Sequence, residues 1–147
     1  MKEIERKFLV NKGIWETVEK PKPMYIKQGY ISKSEKGVVR IRIKDEKAFL
    51  TLKSANFGIE RNEYEYEIPK KDAEEMFLIF CEKFIEKQRY EIVISDKKWE
   101  VDEFLQPQKN FILAEIELSS VNEEFIKPDW VEKEVSDDEN YFNSSFL

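Results

Sequence analysis

The sequence predicts a mainly β (α+β) chain whose antiparallel strands form a closed barrel or a strongly curved sheet. Three observations carry this. Apolar and charged residues alternate with a period of two through most of the 147 residues, as expected of strands with two different faces. Short polar turns (SEKG at 34–37, KDEK at 44–47, SANFG at 54–58, SDKK at 95–98) separate several of the alternating runs, and links that short join antiparallel neighbours. Only two stretches have a helical character, too few to cover a parallel sheet on both faces.

Taken in order, strands are expected near 2–9, 24–32, 37–44, 47–53, 59–68, 86–94, 97–104 and 111–119. A helix is expected over 71–84, KDAEEMFLIFCEKF, following Pro69 and with acids in its first turn. A second, weaker helix is expected near 137–146. Eight antiparallel strands with few helices favour closure or strong curvature. No repeat, linker or low-complexity segment divides the chain, so residues 1–147 are expected to form one domain.

Composition narrows the function. Apolar residues make up 41% and charged residues 38%, with a formal net charge of −6. That balance argues against a general nucleic-acid binder, and no apolar run is long enough for a membrane span or a signal peptide. The single cysteine, Cys81, excludes an internal disulfide and suits a reducing compartment, so a cytoplasmic location is expected. There is no histidine. Any metal must then be held by oxygens, which points to Mg²⁺, Mn²⁺ or Ca²⁺ rather than zinc.

The charges sit at strand spacing. Glu3, Glu5 and Lys7 share one face of the first strand, and Arg40 and Arg42 share one face of the third. Thr51 and Lys53 fall together, as do Arg61, Glu63 and Glu65, then Lys87 and Arg89, then Glu100 and Asp102, then Glu115 and Glu117. A single half-buried strand shows the same alternation with its charges in water. The joint pattern is harder to explain that way, because like charges two apart on one face repel and call for partners. A barrel polar inside and apolar outside accommodates them. Buried charge is costly, and a polyanion with a cation in a wet interior supplies a reason to bear that cost. Arg and Lys match phosphate oxygens, and clustered carboxylates match a hard divalent cation. An apolar exterior would need covering by helices or by a second copy, which makes a homodimer one possible arrangement.

In this order the residues resemble the CYTH superfamily, the triphosphate tunnel metalloenzymes. EIERK, with Glu3, Glu5 and Lys7, resembles the family's Glu-x-Glu-x-Lys signature. Gln28-Gly29-Tyr30 resembles its QGY, and Arg61, Glu63 and Glu65 its R-x-E-x-E. Arg40 with Arg42, Lys53, Lys87 with Arg89, Asp102, and Glu115 with Glu117 follow its remaining pattern, and the tail from Trp130 to Asn143 is similar to short bacterial members. The resemblance implies an eight-stranded antiparallel β-barrel tunnel with helices packed outside. It also implies metal-dependent hydrolysis of a triphosphate, inorganic tripolyphosphate being the substrate favoured by short members.

On that basis Lys7, Arg40, Arg42, Lys53, Arg61, Lys87 and Arg89 are expected to bind substrate. Glu3, Glu5, Asp102, Glu115 and Glu117 are expected to hold one or two Mg²⁺ or Mn²⁺ ions. Lys7, Arg40, Arg42, Lys53, Glu63 and Glu65 are the candidate catalytic groups. Lys44, Glu67, Glu91 and Glu100 are expected on a solvated rim, Tyr30 in packing and Cys81 in the core. The competing readings are a class IV adenylate cyclase, a thiamine or nucleoside triphosphatase, a non-catalytic polyphosphate-binding module and an ordinary lipid-binding barrel.

Overall fold

A computed structural model describes residues 1–147. Its strands are β1 (Lys2–Val10), β2 (Met24–Ser34), β3 (Gly37–Lys44), β4 (Lys47–Ser54), β5 (Glu60–Ile68), β6 (Ile85–Ile94), β7 (Lys97–Gln106), β8 (Phe111–Leu118) and β9 (Val131–Glu134). Helix α1 (Lys12–Thr17) follows β1 and helix α2 (Lys70–Phe80) follows β5. The sheet runs β5-β4-β3-β2-β6-β7-β8-β1-β9, and a further β5–β1 pairing closes eight strands into an antiparallel barrel. All eight expected strands are present within a few residues of their expected bounds. At Ser95-Asp96, both residues have positive φ, the geometry of a two-residue hairpin turn matched to strand twist.

The closure is shared between two strands. β1 meets β5 over only three residues, Lys2↔Asn62, Glu3↔Arg61 and Ile4↔Glu60. Further along, the same edge of β1 pairs with β9, at Phe8↔Glu134 and Val10↔Val131. The Val135 N–H then donates to the Lys7 carbonyl at 2.8 Å, and the Lys7 N–H donates to Ser136 Oγ at 2.9 Å. The C-terminal segment thus fills the gap where β1 and β5 diverge.

Apolar faces point outward and are covered in two places. Phe8, Val10, Trp99, Val101, Ala114, Ile116 and Leu118 pack beneath Trp15 of α1 and Trp130, and the Trp15 and Trp130 rings meet edge to face at 5.1 Å. On the other side, Ile41, Ile43 and Ala48 pack against Ala73 and Phe77 of α2. Gly29 of β2 lies directly under this helix. A Cβ there would sit 2.9 Å from Cys81 Sγ and 3.0 Å from the Phe77 ring. Leu52, Tyr64 and Tyr66, on the outer face of β4 and β5, remain exposed in the single chain.

The inner face changes character along its length. On the side chains facing inward, Lys7 gives way to Leu9, Lys87 to Ile85, Asp102 to Phe104 and Glu115 to Leu113. These apolar residues join Val135, Tyr141, Phe146 and Leu147 in one cluster that fills one end of the barrel.

Three local expectations are corrected. Helix α2 stops at Phe80 rather than 84, because Cys81 turns to an extended backbone that leads the chain into β6. The tail is not an α-helix: its 137–146 region holds two short 3-10 turns, Glu139–Tyr141 and Asn143–Phe146, whose aromatic residues are drawn into the barrel end. Finally, α1 and β9 were not anticipated. α1 has only six residues and is held by the Asn11 cap, with Oδ1 accepting from the Ile14 N–H at 2.9 Å, and by the buried Trp15; periodicity does not register a segment that short.

Two outcomes are expected. Gly29→Val should destabilise the chain by about 1–3 kcal/mol in urea unfolding, since α2 must shift to admit the side chain. The outward Arg6 holds β9 through Glu134, its Nε donating to Oε2 at 2.9 Å, and this bond holds the Glu134 carboxyl below its usual range. A depressed carboxyl stabilises the fold fully above its unfolded value of about 4.3 and loses that contribution as pH falls through its folded value. The stability gap between wild type and Arg6→Ala in urea unfolding should therefore be present at neutral pH and narrow below about pH 4.

Candidate active site

The charged part of the interior encloses a cavity of about 200 Å³ in which only four of 22 lining residues are hydrophobic. Each strand delivers alternate side chains to it. β1 supplies Glu3, Glu5 and Lys7; β3 supplies Arg40, Arg42 and Lys44; and β4 supplies Lys53. β5 adds Arg61, Glu63 and Glu65, β6 adds Arg89, β7 adds Glu100, and β8 adds Glu115 and Glu117. The tail contributes Ser136, Phe142, Asn143 and Ser144.

Most of these charges are paired. Lys53 Nζ lies 3.1 Å from Glu3 and 3.0 Å from Glu63, and Arg61 lies 3.2 Å from Glu3. Burial alone would raise the Glu3 carboxyl, but Lys53 and Arg61 outweigh it and hold the group at about 2. Arg40 reaches Glu65 at 3.5 Å. Its buried Nε has no acceptor. Arg89 binds Asp102 through both nitrogens, Nε at 2.7 Å and Nη2 at 2.8 Å, and Glu100 through Nη1 at 3.1 Å.

Asp102 and Lys87 lie behind the cavity wall. Lys87 is fully buried with its Nζ 2.8 Å from Asp102 Oδ2. Burial would raise Asp102, yet Arg89 and Lys87 bring it to about 2. Both its oxygens are taken, so here Asp102 is the shared counter-ion of two cations rather than a free metal ligand. Lys87 is correspondingly a second layer beneath the cavity instead of part of its surface.

Three cations of the lining, Arg42, Lys7 and Lys44, differ from the rest in making no close ion pair. Arg42 has no carboxylate partner: its Nε and Nη2 both donate to Gln28 Oε1, at 2.9 and 2.7 Å. Lys7 Nζ donates to the Tyr141 carbonyl at 3.2 Å. Burial, then the nearby guanidiniums of Arg40 and Arg89, lower Arg42 to about 9, so it remains charged at neutral pH.

The carboxylates expected to hold metal do not all gather. No group of three or more stands at coordinating distance. Glu5 and Glu115 do meet. Burial first, then the adjacent Glu115 carboxylate, push Glu5 well above its usual range. Burial opposes ionisation of Glu115 as well, but Lys7 and the hydrogen bond from Glu5 bring it well below. Glu117 is raised by burial and then by the charges of Glu3, Glu100 and Glu63. Crowded carboxylates with too few cations of their own suit a hard divalent cation. Glu5, Glu115 and Glu117 are the cavity carboxylates without an ion pair of their own, while Glu3 and Asp102 are already neutralised by Lys and Arg.

Some site residues escaped the sequence reading. Glu100 and Lys44, expected on the rim, line the cavity, as does Tyr30, expected only to pack. Glu100 alternates in phase with Asp102, and that spacing was the available signal. Asn143 and Ser136 carry no charge pattern and enter only because the tail folds inward. Glu67 and Glu91 stay outside the cavity as expected, and Cys81 packs with the α2 cluster.

A closed antiparallel barrel whose interior is charged, and whose apolar residues face outward, defines the class of polyanion-handling β-barrels rather than lipid carriers. The chain belongs to the CYTH domain family, whose model matches residues 1–145. It is 43% identical over 147 residues to an inorganic triphosphatase of Acetivibrio thermocellus, covering 99% of this chain and 93% of that one. It is also 32% identical to an inorganic triphosphatase of Nitrosomonas europaea, covering 99% and 96%. A solved inorganic triphosphatase superposes with a TM-score of 0.67 at 31% identity, covering 98% of this chain and 96% of the other. A Pyrococcus horikoshii protein at 19% identity, covering 82% and 80%, shares the fold with a TM-score of 0.62.

Removing the counter-ion from a buried pair leaves uncompensated charge. Asp102→Ala should accordingly cost about 3–5 kcal/mol in urea unfolding, with Lys87 and Arg89 both stranded.

Proposed function

We propose that this chain is a divalent-metal-dependent triphosphatase acting on inorganic tripolyphosphate. The observation that carries the reading is the donor capacity that carboxylates leave unused: Arg42 and Lys7 are held by neutral oxygens, and Arg40, though it reaches Glu65, keeps an unpartnered buried Nε. These donors match the oxygens of a phosphate chain.

Arg40, Arg42 and Lys7 bind phosphate oxygens directly. Lys53, Arg61 and Arg89 widen the positive surface while remaining tied to Glu3, Glu63 and Glu100. Lys87 reinforces it from behind. Glu5, Glu115 and Glu117 would hold Mg²⁺ or Mn²⁺, an ion that would supply charge neutralisation and water activation there. Glu63 and Glu65 keep Lys53 and Arg40 in place. The walls align the chain for in-line attack at a terminal phosphorus, and fixed charges stabilise the transition state without reorganising. The nearly wholly polar lining favours an inorganic chain over a nucleotide, since it offers little apolar surface for a base.

The test is phosphate release from tripolyphosphate, thiamine triphosphate, ATP and pyrophosphate with Mg²⁺, Mn²⁺ or EDTA. Tripolyphosphate should be the best substrate, and chelation should abolish turnover; activity that persists in EDTA removes the metal from the mechanism. Arg42→Ala should lower kcat/KM by about 10²–10³-fold, in line with about 2.7–4 kcal/mol for one lost transition-state donor.

A further inference from the structure

Four arginines line the cavity, and three of them are bound to carboxylates: Arg40 to Glu65, Arg61 to Glu3 and Arg89 to Asp102 and Glu100. Arg42 is bound to an amide. Gln28 stands directly across from it in the β2–β3 register and is fully buried. We propose that Gln28 is a positioning residue that aims Arg42 at the bound phosphate chain while leaving its charge uncompensated, and that Asn143 fixes the orientation of Gln28. The proposal rests on reading the cavity as a triphosphate site.

The geometry supports each part. Gln28 Oε1 takes the side-on fork of Arg42, Nε at 2.9 Å and Nη2 at 2.7 Å. That contact fixes the plane of the guanidinium and leaves its Nη1 edge to the cavity. An amide has one acceptor end and one donor end, so Gln28 works only in one orientation. Its Nε2 donates to Tyr30 Oη at 3.1 Å and to Asn143 Oδ1 at 3.5 Å, both acceptors. Asn143 Oδ1 also accepts from Lys87 Nζ at 2.8 Å, which keeps its oxygen turned toward both donors. Asn143 and Gln28 thus form a chain of neutral amides between the cations Lys87 and Arg42.

A carboxylate at position 28 would make an equally good or better bond to Arg42, yet would neutralise it. Positioning and packing roles then predict opposite effects. Gln28→Glu gives a buried guanidinium a counter-ion, so the fold holds or gains stability while the phosphate chain meets a less positive site. A residue that serves packing alone would show no loss of affinity in Gln28→Glu, or a loss only alongside destabilisation.

The experiment is titration calorimetry of tripolyphosphate binding in EDTA, where no turnover occurs, together with KM and kcat in Mg²⁺ and thermal melting. The proteins are wild type, Gln28→Glu, Gln28→Ala, Asn143→Asp and Asn143→Ala. Gln28→Glu should weaken binding and raise KM by about tenfold or more without lowering Tm, in keeping with the effect of one charge-assisted contact. Gln28→Ala should lower Tm and weaken binding by less. Asn143 lies on the tail and is less buried, so Asn143→Asp serves if Gln28→Glu does not fold; it should weaken binding by about fivefold, and more than Asn143→Ala. Wild-type-like affinity in Gln28→Glu, or in Asn143→Asp where that variant is the one that folds, overturns the positioning role while the triphosphate reading stands. Absence of both binding and turnover in wild type overturns the triphosphate reading and this proposal with it.

Discussion

Burying a guanidinium, an ammonium or a carboxylate costs several kcal/mol unless each finds a partner, and here one barrel encloses more than a dozen of them. The rest of the structure follows from that constraint. Because the charges take the inner faces of the strands, the apolar side chains must take the outer faces, and these need cover. Helix α2 lies over Ile41, Ile43 and Ala48, while Trp15 and Trp130 cap the faces of β1, β7 and β8. The two anchoring layers of an ordinary β-barrel are exchanged, with the core wrapped around the sheet.

Inside, the charges are not compensated evenly. Asp102 serves both Lys87 and Arg89, and Glu3 serves both Lys53 and Arg61, forming locally neutral knots that hold the strands together. Arg42 and Lys7 stand outside these knots, held by Gln28 and the Tyr141 carbonyl, and the crowded Glu5 and Glu115 have Lys7 as their near cation. The result is a cavity in which some cations and some carboxylates are only partly compensated by one another. Such partial compensation suits an anion and a cation bound together, and it requires rigid walls to keep the opposed groups from collapsing onto each other. The apolar cluster of Ile85, Phe104, Leu113 and Val135 braces the charged layer from one end.

The barrel and most of the charged set were legible in the sequence because strand geometry repeats every two residues. Arg40 with Arg42, or Glu115 with Glu117, must share a face whatever the surroundings, so their convergence followed once the strands were placed. Glu100 was misjudged because it matched no motif of the family, although its phase matched Asp102. Gln28 and Asn143 were not legible as functional groups, since an uncharged amide leaves no mark in a charge pattern.

By itself the sequence determined the eight alternating strands, which side chains share a face, the oxygen-only ligand chemistry that follows from having no histidine, and the sign of each charge in the interior. Tertiary structure alone decided which charges neutralise each other. Asp102 and Glu3 looked equivalent to Glu5 and Glu115 along the chain, yet the former lie against Lys and Arg and the latter against each other. It also decided the fate of the tail: β5 meets β1 for only three residues, and the vacated edge draws in β9, Ser136 and Asn143. Both outcomes depend on barrel register, and register is set by how strands meet across the closure rather than by any spacing within one strand.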